Sequence, residues 1–466
     1  MDVDVIAVGG GFSGLIVANR CAQLGLTAAA LEQETAERYI CNSRITTGVS
    51  HILFRDMDLP AETLVPLIAE ANRGRADPAL VETFAANSRR AIEWLEAEGQ
   101  RFERISTSRK FQNLILAPPR PFTVGPDWEN RGGDVLLRTL EANLGKRKGA
   151  LLRGTKVTSL AMTNGACVGI EAMQDGESVR MAAKAVVLAD GGFPANVDMI
   201  RQHVTPRADR LLIRAAGNAT GDGLCMAQAA GAQLTGFGEF YGHPMHREAL
   251  TNANLWPFPM MDPLTTAGVV VGADGRRFAD EGQGGILLAN AIAALADPLS
   301  TTLVFDEDIW NGAGQEIGGA NPLLISAGAT LHRAGDLAAL AAKAALPAAA
   351  LAETIATYND ALDGGRPATL TPPRSTHLVA PTAIRKPPFY AIPLVAGITG
   401  SMGGIVTDIQ CRALRADRSP IRGLYATGGN VAGLEGGPAV AYMGGLSKAF
   451  IFSLLAAEAI AQDLRA

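Results

Sequence analysis

The stretch that decides the fold is residues 2–32, DVDVIAVGGGFSGLIVANRCAQLGLTAAALE. Its apolar run Val3–Val8 reads as a buried parallel strand. The run empties into Gly9-x-Gly11-x-x-Gly14, and a helix is expected from Ser13 to about Leu24. A second apolar strand, Thr27 to Leu31, closes on Glu32. Strand, glycine turn, helix and strand form a βαβ unit with the dinucleotide fingerprint in its required context. Gly9 allows the tight turn, Gly11 lets backbone approach a pyrophosphate, and Gly14 lets helix and strand pack closely. The first helical turn, with Phe12 and Ser13, offers free N–H groups and the positive end of the helix dipole to phosphates. An acid at Glu32 accepts hydrogen bonds from ribose hydroxyls, which favours FAD or NAD over NADP.

Composition bounds the rest. The chain has 466 residues, is 48% hydrophobic and 19% charged, and carries 52 glycines with only 5% aromatics. That suits an α/β protein of two or three domains packed closely around a large cofactor. A net charge of −5 speaks against nucleic-acid binding, and Lys146-Arg147-Lys148 reads as a solvated turn. Cys21, Cys41, Cys167, Cys225 and Cys411 are scattered. They make no haem, iron–sulfur, zinc or disulfide pattern, so no metal is expected and a reducing cytoplasm fits. With a strand beginning at residue 3, no signal peptide is expected. The AFIFSLLAAEAIA run is too short and too interrupted for a membrane span and reads as a buried helix.

Further along, Asn42, Ser43, Thr46, Thr47 and Gly48 cluster in a polar loop able to hydrogen-bond a cofactor, although ordinary capping explains them as well. Residues 60–100 read as a helical excursion and 105–130 as a long loop without an assignable role. A helix is expected over Gly132–Leu144. Hairpin strands are expected over Ala150–Ile170, with turns at Asn164-Gly165 and Asp175-Gly176. The strand Lys184–Ala189 ends in Asp190-Gly191-Gly192. Asp222 opens a helix either as its N-cap or as a cofactor ligand. From about Phe240 the character changes: His, Arg, Trp, Phe and Met crowd residues 240–264, and GVVVGADGRRF reads as a strand pair. Ala-rich helices follow around 337–363, broken at Pro347. Glycine turns then return at 401–408 and 423–430, and Gly444-Gly445 lead, with Leu446, into a terminal helix whose N-terminus suits an anion.

Together these segments resemble the fumarate reductase/succinate dehydrogenase flavoprotein family. VGGGFSG, CNSRITTG, VVLADGGF, TGDG, GRRFADEG, PPFYAI, SMGGI and GLYATGGN occur in that family's order across nearly the whole chain. Within it, Asn42-Ser43-Arg44, LIRAAGNATGDG and AGITGSMGGI look most like the tricarballylate dehydrogenase branch, with ketosteroid dehydrogenases as more distant cousins. The resemblance implies an α/β architecture: a Rossmann-like FAD-binding domain in two parts, 1–239 and 395–466, interrupted by an α+β capping domain over 240–394. It implies that Gln33, Val157, Ala189, Gly429 and Asn430 join the residues above around FAD. It also implies hydride exchange between the flavin and a C–C bond next to a carboxylate or carbonyl of a small-molecule substrate.

The chain departs from the family in telling places. Asn42 stands where covalent members attach FAD through histidine, so FAD is expected to be non-covalent. Gly400 and Ser401 stand where fumarate reductases carry a His-Thr pair. The proton-donating arginine aligns near Gly284 or Gly285, and the carboxylate-clamping arginine with Val440. Fumarate reduction is therefore not expected. Tyr442 is the leading candidate for a substrate-facing donor, with Tyr241, His243 and Arg247 as further catalytic candidates. His246, Arg44 and Glu435 carry weaker readings as substrate, phosphate or ion-pair groups. Two rivals remain: a ketosteroid-type dehydrogenase of a hydrophobic cyclic ketone, and a non-catalytic electron-transfer flavoprotein subunit. No second nucleotide fingerprint or haem motif is visible, so an external electron acceptor or donor is expected. No membrane insertion is expected.

Overall fold

The computed structural model describes residues 3–106, 112–316 and 320–465. Val3–Val8 is the hub of an eight-stranded sheet. It pairs in parallel with Ala28–Leu31 on one side and with Glu177–Leu188 on the other. Ala150–Leu152 continues the sheet beyond Ala28–Leu31, and Pro420–Ala426 continues it beyond Glu177–Leu188. Val5–Val8 and Ala28–Leu31 are buried on both faces, which is why they read as unbroken apolar runs rather than alternating ones. The helix Phe12–Gln23 packs between Gly132–Lys146 and the terminal helix Gly445–Asp463. Phe12 meets Phe450 at 5.7 Å between ring centroids, and Phe84 meets Phe452 at 5.4 Å. Each such buried aromatic contributes about 1.5–3 kcal/mol. The chain thus takes the expected α/β class with a Rossmann-like first sheet.

The terminal helix is the one helix among the described residues long and apolar enough to cross a membrane, and 72% of its apolar window is buried inside the molecule. Two hairpin turns fall where expected. Asn164-Gly165 and Asp175-Gly176 all have positive φ, as the tight turns that match strand twist require.

A second sheet is organised on the long strand Phe389–Ser401. Phe240–His246, Thr302–Asp306 and His332–Ala334 pair with it antiparallel, and Leu212–Ile213 pairs in parallel. This strand runs unbroken through 394/395, so the chain leaves the second sheet only after Ser401. The Ala-rich helices are Leu337–Ala344 and Ala348–Asp363.

Three local expectations need correction. Residues 105–130 are not one loop: Phe102–Ser106 and Gln112–Leu116 form an antiparallel pair, extended by Val49–Ser50. Residues 107–111 of that stretch lie outside the described residues. The second strand expected in GVVVGADGRRF shrinks to a single bridge between Val271 and Arg277, because Arg277 turns to bind Glu281 at 2.5 Å. Asp222 is not an N-cap. Gly221, at φ +79°, caps the helix, and Asp222 is its first residue.

Candidate active site

The two sheets enclose one large cavity of about 1480 Å³. Pockets for drug-sized ligands run to about 300–1,000 Å³, so this one has room for a dinucleotide and a small substrate. The glycine turn forms one end. Gly9 has φ +113°, and a Cβ there would sit 2.7 Å from Ala189 O. A Cβ at Gly14 would lie 1.9 Å from Gly9 O, so Gly14 serves the helix–strand contact and does not line the cavity. Gly9, Gly11, Phe12 and Ser13 do line it, as does Gly10, which sequence reading passed over. Phe12 offers only backbone, since its ring is in the core and its N–H donates to Ser43 Oγ at 3.0 Å.

Glu32, Gln33, Asn42, Ser43, Thr46, Thr47 and Val157 line the same cavity. Burial pushes the Glu32 carboxyl up, and its oxygens accept from Gly10 N–H and Glu34 N–H. Ala189, Asp190, Gly191, Asp222 and Gly429 form the wall beyond. Burial pushes Asp190 up to about 6, against hydrogen bonds from Gly223 N–H and Asn430 Nδ2. Asn430 acts from behind and is not in the wall. Gly48 and Gly444 are also behind it: they have φ +88° and +93°, and they pack on Leu116 and His51. Gly445 and Leu446, at the start of the terminal helix, do reach the cavity. Glycine backbone from several separate segments and the helix N-termini at Phe12 and Gly445 thus line one space, a donor set that fits FAD: the first N-terminus would hold its pyrophosphate and the second would stabilise negative charge on its ring system. Among the described residues no cluster of His, Cys, Asp or Glu is placed to hold a metal ion.

Tyr241, His243 and Tyr442 line the same cavity. Tyr241 and His243 are two apart on one strand and so share a face. The His243 Nε2 lies 3.0 Å from the Tyr241 hydroxyl, and its Nδ1 lies 2.9 Å from Asp262 Oδ1. A carboxylate only accepts, so Nδ1–H donates to Asp262, and Nε2 is left to accept the Tyr241 O–H. The Tyr442 oxygen accepts from Gly445 N–H at 2.7 Å. Burial raises both phenols, Tyr241 to about 12 and Tyr442 well above its ordinary value. Both therefore stay protonated near neutral pH.

Arg247 is not part of this group. The strand ends at His246, and Arg247 starts a short 3₁₀ turn. At 3.3 Å per residue that is about 20 Å along the chain from Tyr241. Arg247 donates to Thr301 O at 2.8 Å and Leu394 O at 3.3 Å, bracing the second sheet beside a separate, smaller pocket. His246 accepts from Glu248 N–H and donates to Thr330 O. Arg44 is buried in an ion pair with Asp134 and faces neither substrate nor phosphate. Glu435 is an ion-pair partner, 2.7 Å from Lys448, with both side chains almost fully buried.

Several cavity residues had no usable sequence signal. Asp262, His51, Arg120 and Arg214 all line the wall. Only Asp262 stands near another member of the group in sequence, and its partner His243 lies in a different element.

Comparison with known proteins follows this geometry. The chain is 29% identical over 367 residues to the NADH:acrylate oxidoreductase of Vibrio harveyi, covering 77% of this chain and 34% of that protein. It is 27% identical over 472 residues to the NADH:fumarate oxidoreductase of Klebsiella pneumoniae (strain 342), covering 99% of this chain and 48% of that protein. The chain thus spans half or less of the length of these two relatives. Its fold superposes on 3-ketosteroid Δ1-dehydrogenase from Sterolibacterium denitrificans with a TM-score of 0.79 at 20% identity, covering 99% of this chain and 100% of that one. The FAD binding domain family model matches residues 4–441. The chain belongs to the FAD binding domain family, among the fumarate reductase/succinate dehydrogenase flavoproteins that its motifs resemble.

Proposed function

We propose that the protein is an FAD-dependent oxidoreductase acting on the C–C bond next to a carbonyl or carboxylate of a small organic substrate. The observation that carries this is the Asp262–His243–Tyr241 chain, which ends at the cavity against Tyr442. FAD, when bound, supplies the acceptor or donor of the hydride at the β carbon. The residues handle the proton and the oxygen. In desaturation, the Tyr241 oxygen takes the α proton while its own proton passes to His243 Nε2, and Asp262 stabilises the imidazolium that results. In reduction the same transfers run in reverse. Because Tyr442 accepts from Gly445 N–H, its own O–H is left to donate to the substrate oxygen, where negative charge develops.

Fumarate is excluded from this reading. Gly400, Ser401, Val440 and Gly285 line the cavity without charge at the positions where fumarate reductases carry their polar machinery. A second reading, a hydrophobic cyclic ketone as substrate, is favoured by the edge-to-face pair Phe122–Phe258 in the same wall, 5.0 Å apart. The test is anaerobic titration of the flavin with each class of compound, in wild type and in H243A. Bleaching by one class in wild type, lost in H243A with FAD retained, supports the reading. Bleaching unchanged in H243A removes the proton relay from it.

A further inference from the structure

Arg120 and Arg214 enter the cavity wall from distant segments, and each is more than nine-tenths buried. Their guanidinium carbons lie 5.5 Å and 5.3 Å from the centroid of one ring, Phe258. Arg214 is fixed by Nε donating to Pro257 O at 2.9 Å and Nη1 donating to Thr399 Oγ1 at 3.0 Å. Its Nη2 makes no hydrogen bond to a described residue. Arg120 donates from Nη1 to Ile45 O, and its Nε and Nη2 have no hydrogen-bond partner among the described residues. Among the described residues neither arginine forms an ion pair. Of the carboxylates whose charge reaches them, Asp127 is paired with Arg131 at 2.9 Å, and Asp262 binds His243 through Oδ1 while neither of its oxygens bonds Arg214.

A buried cation is costly without a counter-charge, and two that repel each other are costlier. The shared aromatic face recovers only part of that cost. We infer that Arg120 and Arg214 form a carboxylate subsite, so that the substrate is an organic acid held by its carboxylate at this wall with its reacting bond toward Tyr241 and Tyr442. Arginine suits the task because its planar fork matches a carboxylate. Burial and the neighbouring Arg214 push Arg120 down to about 10, a shift that a bound anion would reverse. The placement of the reacting bond rests on the redox reading above; the carboxylate subsite does not.

The FAD-loaded protein would be titrated with succinate, tricarballylate and cyclohexanecarboxylate and with their neutral amides. Perturbation of the flavin absorbance and the rise in Tm report binding without turnover. At least one acid should bind and its amide should not. R120Q and R214Q should each weaken that acid by about 10- to 100-fold with FAD content unchanged. Four results would overturn the subsite: an amide binding as well as its acid, glutamine variants binding the acid normally, loss of FAD in place of acid affinity, or no acid binding at millimolar concentration. The acid–amide comparison on wild type stands even if a variant fails to fold. Acid binding with neither bleaching by the acid nor reoxidation of chemically reduced flavin by its unsaturated counterpart would leave the subsite in place and sink the redox reading.

Discussion

Tyr241 and Tyr442 lie face to face, their ring centroids 3.7 Å apart and their planes within 5° of parallel. Their hydroxyls are polarised in opposite senses. Tyr241 donates its O–H to His243 Nε2 in a hydrogen bond, which leaves an oxygen lone pair for the substrate. Tyr442 accepts a hydrogen bond from Gly445 N–H, which leaves its own O–H to donate to the substrate. One ring is prepared as a base and the other as an oxygen-binding acid. Y241F should lower turnover by about 10²- to 10⁴-fold, the usual contribution of a positioned proton-transfer group, with FAD content unchanged. Y442F should act mainly through the developing charge on oxygen. Steady-state kinetics on both variants checks the division of labour: equal loss in kcat and kcat/KM is expected for Y241F.

Asp262 leans on a position that must stay small. A Cβ on Gly285 would lie 1.8 Å from Asp262 Oδ1, although Gly285 is the first residue of the helix Gly285–Ala293 and has no positive φ. Its backbone does not require glycine. G285A should therefore fold while pushing Asp262 off His243, and kcat should fall at least tenfold by a rough count of one lost charge-assisted hydrogen bond. A G285A protein with normal Tm and normal kcat would remove Asp262 from the relay.

His51 gives the pH signature of the cavity. Its Nδ1 accepts from Phe54 N–H at 3.1 Å, and its ring stacks on Phe54 at 4.6 Å and meets Tyr442 edge-on at 5.5 Å. Leu53 and Phe54 hold this turn at φ 52° and 60°. Burial lowers the imidazole from 6.5 to about 4. The unfolded chain therefore binds more protons than the folded one between those values. This contribution to stability is complete above 6.5 and is lost as the pH falls toward 4. The Tm of wild type should fall more than that of H51Q between about pH 7 and pH 4, measured in the same buffers.

The Lys448–Glu435 pair sits at 2.7 Å with 4% and 6% of the side chains exposed, and Glu435 Oε1 also accepts from Met443 N–H. Removing one partner leaves a buried charge alone. K448M should destabilise by about 3–5 kcal/mol, and K448M/E435Q should recover much of that. Denaturant unfolding of the two variants measures the difference.

Much of this was legible in advance because it is local. Val3–Val8, the glycine turn and Glu32 lie within one βαβ unit, and strand, turn and helix each carry a short-range signal. Tyr241 and His243 were legible as chemistry-bearing residues on one segment. Their partner Asp262 was not, because the chain returns to that strand only at Met260 and Met261, which bridge to Met245 and Pro244 just before Asp262 opens a helix. Arg120 lay hidden in a Pro-rich stretch whose first part is a hairpin. The hairpin was missed because FERIS is largely exposed and carries little apolar alternation. Arg214 sat inside LIRAAGNATGDG, a segment that carries a family resemblance but assigns this arginine no role. Arg247 failed for the converse reason: it adjoins the right strand in sequence, and the strand carries it away from the site.

The most direct test is the visible spectrum of the purified, FAD-loaded protein under anaerobic titration with organic acids and cyclic ketones, followed by acid precipitation. The account predicts a yellow protein that one acid bleaches, or whose chemically reduced flavin the unsaturated acid reoxidises, with the flavin released into the supernatant. A protein that binds no FAD, or a yellow one whose flavin answers to none of these compounds in either direction, would contradict it.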